Sequence, residues 1–186
     1  MYRKSKQGLV KIGLLLKQER KLFHTQDLAL LWGIENKNTL YTTIRRYLEK
    51  GILIPIQKGF YSTLPLSQIK PLELGVLFLH RYAYESTESI LVKEGVINQS
   101  IPYLTLVAGL SKKFSVAGNS FLVRKLQEKF LYQTVGIMKE GDFLRASRER
   151  AVADLLYFNP FYHFDNQPLV DWKAVAVIQR KVGYKK

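Results

Sequence analysis

The segment from Thr25 to Thr63 most constrains what this 186-residue chain can fold into. It opens with a helix start at Thr25, apolar residues Leu28, Leu31 and Trp32 at spacings of three and four, and a glycine stop at Gly33. Ile34 to Lys37 then forms a turn, and Asn36 or Asn38 caps a second helix. In that helix Leu40, Ile44, Tyr47 and Leu48 make one apolar stripe, while Asn38, Thr39, Thr42, Arg45 and Arg46 fall on the opposite face. Gly51 ends it, Ile52 to Ile56 has strand composition, Gln57-Lys58-Gly59 is a tight turn, and Phe60 to Thr63 returns. Pro55 confines its strand to an edge, as a two-stranded wing permits. This order of elements predicts a winged helix-turn-helix over residues 1–63.

The polar face of the second helix suits duplex DNA. Short amide and hydroxyl side chains at its N-terminus can pair with base edges, and guanidinium groups one turn later can reach phosphates. The expected DNA-binding residues are Lys37, Asn38, Thr39, Thr42, Arg45, Arg46 and Lys58, with Thr39 and Thr42 reading bases. The bland alternative is a small helical core with an ordinary solvated face.

Charge agrees with a polyanionic partner, since the net charge is +14 and the isoelectric point near 9.9. Residues 1–63 hold 12 Lys/Arg against 4 Asp/Glu, a balance of +8, leaving 17 against 11, or +6, for the rest. With no cysteine there is no disulfide framework, thiolate metal site or thiol nucleophile. His24, His80 and His163 stand far apart, so no metal and no cofactor are expected. The apolar run near the N-terminus is short and broken by Lys11, which argues against a signal peptide or membrane span and for a cytoplasmic protein.

Ahead of the central segment, Ser5 is expected to cap a helix reaching about Lys21, with Leu9, Ile12 and Leu16 inward, after an arm at Met1 to Lys4. Behind it, Pro65 and Pro71 mark a linker at 64–71 before a second domain over 72–186. Leu72 to Tyr84 and Ser86 to Glu94 read as helices, and Tyr103 to Ala108, Phe114 to Val116, Phe121 to Leu126, Phe130 to Met138 and Asp142 to Arg145 as strands. Lys139-Glu140-Gly141 is read as a hairpin turn. Ser147 caps a helix that Asn159-Pro160 stops, and a last helix runs from about Leu169 to Lys181 with Trp172 inward, followed by a basic tail ending at Lys185 and Lys186. The whole is α+β, a winged helix followed by a mixed α+β domain.

Little here carries catalytic chemistry. No glycine loop has phosphate-cradling spacing. The triplets Glu35-Asn36-Lys37 and Asp171-Trp172-Lys173 have the acid-x-Lys form of metal-dependent nucleases, but the first lies in a turn and the second starts a helix. Asp154 with His163 and Asp165 can be drawn as an acid-base cluster, yet Arg150 stands one turn before Asp154 as an ion-pair partner. No catalytic residue is expected.

The run Ala146-Ser147-Arg148-Glu149-Arg150-Ala151-Val152-Ala153-Asp154-Leu155-Leu156-Tyr157 resembles the A-S-P-E-[KR]-A-[LV]-x-D-L-[LI] helix of AbiEi-type antitoxins, regulators of type IV toxin-antitoxin systems. Lys50-Gly51-Ile52-Leu53 and Lys58-Gly59-Phe60-Tyr61 are similar to the end of that family's winged helix, and Thr87 to Gly95 followed by Tyr103 to Ala108 to a later helix and strand. Arg148 stands where the family commonly has proline. The resemblance implies a repressor of its own operon whose second domain counteracts a cognate nucleotidyltransferase-like toxin; separately, the small interface of a single winged helix leads to the expectation of an inverted-repeat operator and a homodimer on DNA. Arg148, Glu149 and Asp154, off the apolar side of their helix, are then the candidate partner residues. The competing expectations are a stand-alone regulator whose second domain senses a ligand or dimerises, and a nucleic-acid-processing enzyme.

Overall fold

The computed structural model describes residues 2–184 and is mixed α+β, dividing into compact units at 1–70 and 71–186. Met1, Lys185 and Lys186, and with them part of the expected arm and basic tail, lie outside the described residues, as do the side chains of residues 2–8.

The first unit contains α1 (Tyr2–Leu16), β1 (Leu22–His24), α2 (Thr25–Trp32), α3 (Lys37–Glu49), β2 (Ile54–Gln57) and β3 (Phe60–Ser62). The three strands form an antiparallel sheet in the order β1-β3-β2, with Pro55 on the edge strand and Leu22 opposite Ser62. Phe23, Leu28, Trp32, Leu40, Ile44, Tyr47 and Leu53 fill the core between helices and sheet.

Helix α1 is already helical at Tyr2, so Tyr2 to Lys4 is not an arm, and it ends at Leu16 rather than near Lys21. Among its described side chains Leu15 is buried and Ile12 half-buried, whereas Leu9 and Leu16 are each 69% exposed. Strand β1 was not foreseen. Thr25 is the first residue of α2 and its hydroxyl donates to the Gly59 carbonyl, while Asp27 supplies the cap by accepting from the His24 backbone N–H at 2.7 Å.

The second unit is built on a six-stranded sheet. Its elements are α4 (Pro71–Leu79), β4 (Ala83–Glu85), α5 (Glu88–Lys93), β5 (Leu104–Ala108), β6 (Lys112–Val116), β7 (Asn119–Lys125), α6 (Glu128–Leu131), β8 (Ile137–Glu140), β9 (Phe143–Ala146), α7 (Arg148–Phe158) and α8 (Trp172–Val182). The strand order is β6-β7-β5-β4-β9-β8. The central pair β4·β5 is antiparallel, its flanks β5·β7 and β4·β9 are parallel, and each outer strand closes an antiparallel hairpin. Tyr84 and Val107 point into a core with Ile90, Val152, Leu155, Val175 and Ile178 from α5, α7 and α8. Alternation along the strands sends Leu106, Phe121 and Val123 to the other face, where Gly75 of α4 lies directly over the Phe121 ring.

Strand β4 replaces the end of the helix expected over Leu72 to Tyr84. Phe130 to Met138, expected as one strand, divides into the end of α6, a turn and the start of β8; the hairpin after β8 turns at Gly141-Asp142. The last helix starts at Trp172, capped by Asp171, and Trp172 is 41% exposed instead of inward.

Between β4 and α5 the chain turns through Thr87, whose φ of 57° is unusual for a β-branched residue. Hydrogen bonds hold this buried turn: Thr105 donates its hydroxyl to the Ser86 carbonyl at 2.6 Å and accepts from the Ser89 N–H at 2.9 Å.

Candidate nucleic-acid interface

Helix α3 is aimed by its two ends. Asn36 is its cap, accepting the Thr39 N–H through Oδ1 at 3.0 Å, and Gly33, in the left-handed region at φ 60°, ends α2 just before it. Leu40, Ile44 and Tyr47 pin the inner side, and the Tyr47 ring meets Trp32 edge-on at 5.2 Å. The opposite side is open: Asn38, Thr39, Thr42, Arg45 and Arg46 are all exposed, as is Lys37 at the helix's first position. Lys58 is exposed in the turn between β2 and β3, and Thr25 ties this turn to the start of α2 by donating its backbone N–H to the Gly59 carbonyl at 3.0 Å.

The structure therefore places five of the six expected residues of α3 on one exposed arc, with Lys37 exposed at the helix's first position in line with Ile44, and with differences in what each can do. The Thr39 hydroxyl donates to the Asn36 cap at 3.3 Å, so it is partly committed within the chain. Arg45 pairs with Glu49 one turn later at 3.0 Å, with side-chain exposures of 82% and 61%. In water such a pair contributes only about 0.3 to 0.5 kcal/mol, so the guanidinium is readily given up to a stronger anion. Tyr41, missed in the sequence reading, is 55% exposed on the same arc, three residues after Asn38 and four before Arg45. Its spacing was the available signal. An amide, a hydroxyl, a phenol and two guanidinium groups on one helical face can hydrogen-bond a patterned polar surface and neutralise anions along it.

In the second unit, the three residues considered for a partner have different fates. Asp154 is fully buried, which corrects its expected place off the packed side of α7. The pairing with Arg150 is present, but as a buried pair. Arg150 donates through Nε to Asp154 Oδ1 at 2.8 Å, through Nη1 to the carbonyls of Gln133 and Val135, and through Nη2 to the Tyr84 hydroxyl. Asp154 also accepts from the hydroxyls of Tyr84, Ser86 and Tyr184. Burial, and then the neighbouring Asp154 carboxylate, push the Tyr84 and Tyr184 phenols well above the ordinary tyrosine range. For Arg150 burial acts to lower its pKa, but Asp154 and the two phenols outweigh it and keep the guanidinium charged. The cluster is internally satisfied, as a buried ion pair requires.

Arg148 is engaged too, donating to Glu94 at 2.9 Å and to the Leu169 carbonyl at 2.7 Å, and its hydrogen bond to Glu94 raises its pKa further. Glu94 also holds Arg145, which lies 3.6 Å from the buried Glu85 carboxylate. Glu149 remains half-buried in the first turn of α7. The acid-x-Lys triplets have structural positions: Asn36 and Asp171 both cap helices. Among the described residues no group of His, Asp or Glu is arranged to hold a metal ion, and no helix is long and apolar enough to cross a membrane.

Compared with protein-family models and with curated proteins, the chain matches none.

Proposed function

We propose that the chain is a DNA-binding transcriptional regulator, with residues 1–63 acting as a winged helix-turn-helix, α3 in the major groove and the β2–β3 turn against the backbone. The observation that carries this reading is the exposed arc of α3, where Asn38, Tyr41, Thr42, Arg45 and Arg46 stand on one side of a helix fixed by its cap and by three buried anchors. Asn38 and Thr42 are the base readers in this reading, and Lys37, Arg45, Arg46 and Lys58 the phosphate contacts. Thr39 is given a capping role alongside any contact with a base. Repression through an inverted pair of half-sites follows from the small interface of one such module.

The second unit is assigned the antitoxin role, opposing a nucleotidyltransferase-like toxin; the run from Ala146 to Tyr157, which carries the resemblance to AbiEi-type antitoxins, supports this and spans the end of β9, the Ser147 cap and most of α7. Arg150 and Asp154, at the [KR] and D positions of that run, then serve the fold of that unit, and Glu149 is the acidic group left for a partner.

Selection of bound sequences from a random duplex pool tests the DNA assignment. Enrichment of an inverted repeat, lost in Arg45→Ala/Arg46→Ala, supports it; no enrichment by the folded wild-type chain contradicts it. For the second unit, a fragment from Leu64 onward is expected to restore growth to cells expressing a toxin encoded beside this gene, and a fragment ending at Leu64 is not. Rescue by the N-terminal fragment alone would favour the stand-alone regulator.

A further inference from the structure

We propose that Asn38 reads an adenine in the major groove, so that each half-site of the bound duplex carries an A·T pair at a fixed position. This rests on the proposed function and names the base that the centre of that site takes. At 3.6 residues per turn, Leu40 lies about 200° round α3 from Asn38, so Asn38 stands opposite the buried anchors, in the middle of the exposed arc. Thr42, one turn on, is offset from it by about 40°, and Arg45, seven residues on, lies in line with it to within about 20°. A helix docked by this arc presents Asn38 to the floor of the groove.

The polar groups around Asn38 are committed within the chain. Thr39 donates its hydroxyl to Asn36 at 3.3 Å, Thr43 donates to the Thr39 carbonyl at 2.8 Å, and Arg45 donates to Glu49 at 3.0 Å. Among the described residues no hydrogen bond holds the Asn38 amide.

The chemistry of that amide selects the base. It offers one acceptor and one donor group side by side on a short side chain. In the major groove adenine is the one base that sets an acceptor beside a donor, N7 beside its 6-amino group. Guanine shows two acceptors there, cytosine a donor, and thymine an acceptor beside its methyl. Asn38 Nδ2 therefore donates to N7 while Oδ1 accepts from the amino group. Guanine calls instead for a cation with two donors, and the guanidinium in line with Asn38, that of Arg45, belongs to a residue about 10 Å farther along the helix. Glu35, an acceptor-only group of the kind that suits cytosine, precedes the Asn36 cap and lies outside α3.

Full-length wild type and Asn38→Ala would each be used to select duplexes from a random pool. The duplex enriched by the wild type would then be remade with 7-deazaadenine, which lacks N7, or with purine, which lacks the 6-amino group, at the constrained adenine. The wild type is expected to enrich a repeat with one invariant A·T pair in each half and to lose affinity by at least about fivefold on either analogue. Asn38→Ala is expected to enrich the same repeat with adenine no longer required there, and its affinity is expected to change by less than about twofold on the analogues, because the group that reads them is gone. Asn38→Asp, which keeps the side-chain shape and removes its donor, is expected to lose the adenine preference as alanine does. A repeat without an adenine-dependent position, or analogue losses that persist at full size in Asn38→Ala, overturns the proposal and leaves the DNA assignment standing. The absence of any enriched sequence overturns both.

Discussion

Arg150 and Asp154 face each other across one turn of α7 at 2.8 Å, and neither side chain is exposed to solvent. Through Tyr84 on β4 and Tyr184 after α8, this pair joins the central strand, the helix and the C-terminal end of the second unit. Removing one member leaves the other charged and buried. Arg150→Ala is therefore expected to destabilise the second unit by about 3 to 5 kcal/mol, enough to unfold many domains. Denaturant titration checks this, and a loss below about 1 kcal/mol would mean that solvent reaches the pair.

Alkaline pH should act on the same cluster. Both phenols have folded pKa values raised above the ordinary value of 10.0, so the folded state holds their protons after an unfolded chain has released them. Their contribution is complete below about pH 10 and is lost as pH rises beyond it, at up to about 1.4 kcal/mol per pH unit for each phenol. Stability measured from pH 8 to 11 is expected to fall above pH 10 in the wild type and to fall less steeply in Tyr184→Phe. An equal slope in the two proteins would disconnect Tyr184 from the alkaline loss.

Gly75 makes a packing prediction. A Cβ there would come well inside contact distance of the buried Phe121 ring. Gly75→Ala gains helix propensity but overpacks α4 on the sheet, and a net loss of about 1 to 3 kcal/mol is expected in thermal melts. A stabilised variant would show that α4 sits farther from β7.

Much of this structure is legible in the sequence where the signal is local. The buried stripe of α3 and its exposed arc follow from a 3.6-residue period, and Asn36, Gly33 and Ser147 mark helix ends by their own chemistry. Helix α1 shows the limit: with Leu9, Val10, Ile12, Leu14, Leu15 and Leu16 crowded together, apolar groups point in every direction, and only the position of α2 selects Leu15. Strand β1 is three residues long and exists through its antiparallel pairing with β3, in which Leu22 faces Ser62, 40 positions away, and His24 faces Phe60, 36 away, beyond the reach of any local pattern. The burial of Asp154 is hidden for the same reason. The i to i+4 spacing gives its arginine, but Tyr84 and Tyr184, which turn a surface-type pair into a core cluster, lie 70 and 30 residues distant.

The central claim is that α3 binds duplex DNA through its exposed arc, and the salt dependence of binding tests it most directly. The dissociation constant on an enriched duplex would be measured by fluorescence anisotropy from about 50 to 200 mM salt for the wild type, Arg46→Ala and Thr42→Ala. Arg46→Ala is expected to weaken binding to all sequences alike and to flatten the log–log salt slope by about one, while Thr42→Ala keeps the slope and relaxes preference at one base pair. Binding by folded Arg45→Ala/Arg46→Ala with wild-type affinity and salt slope would contradict the assignment of α3 as the reading element.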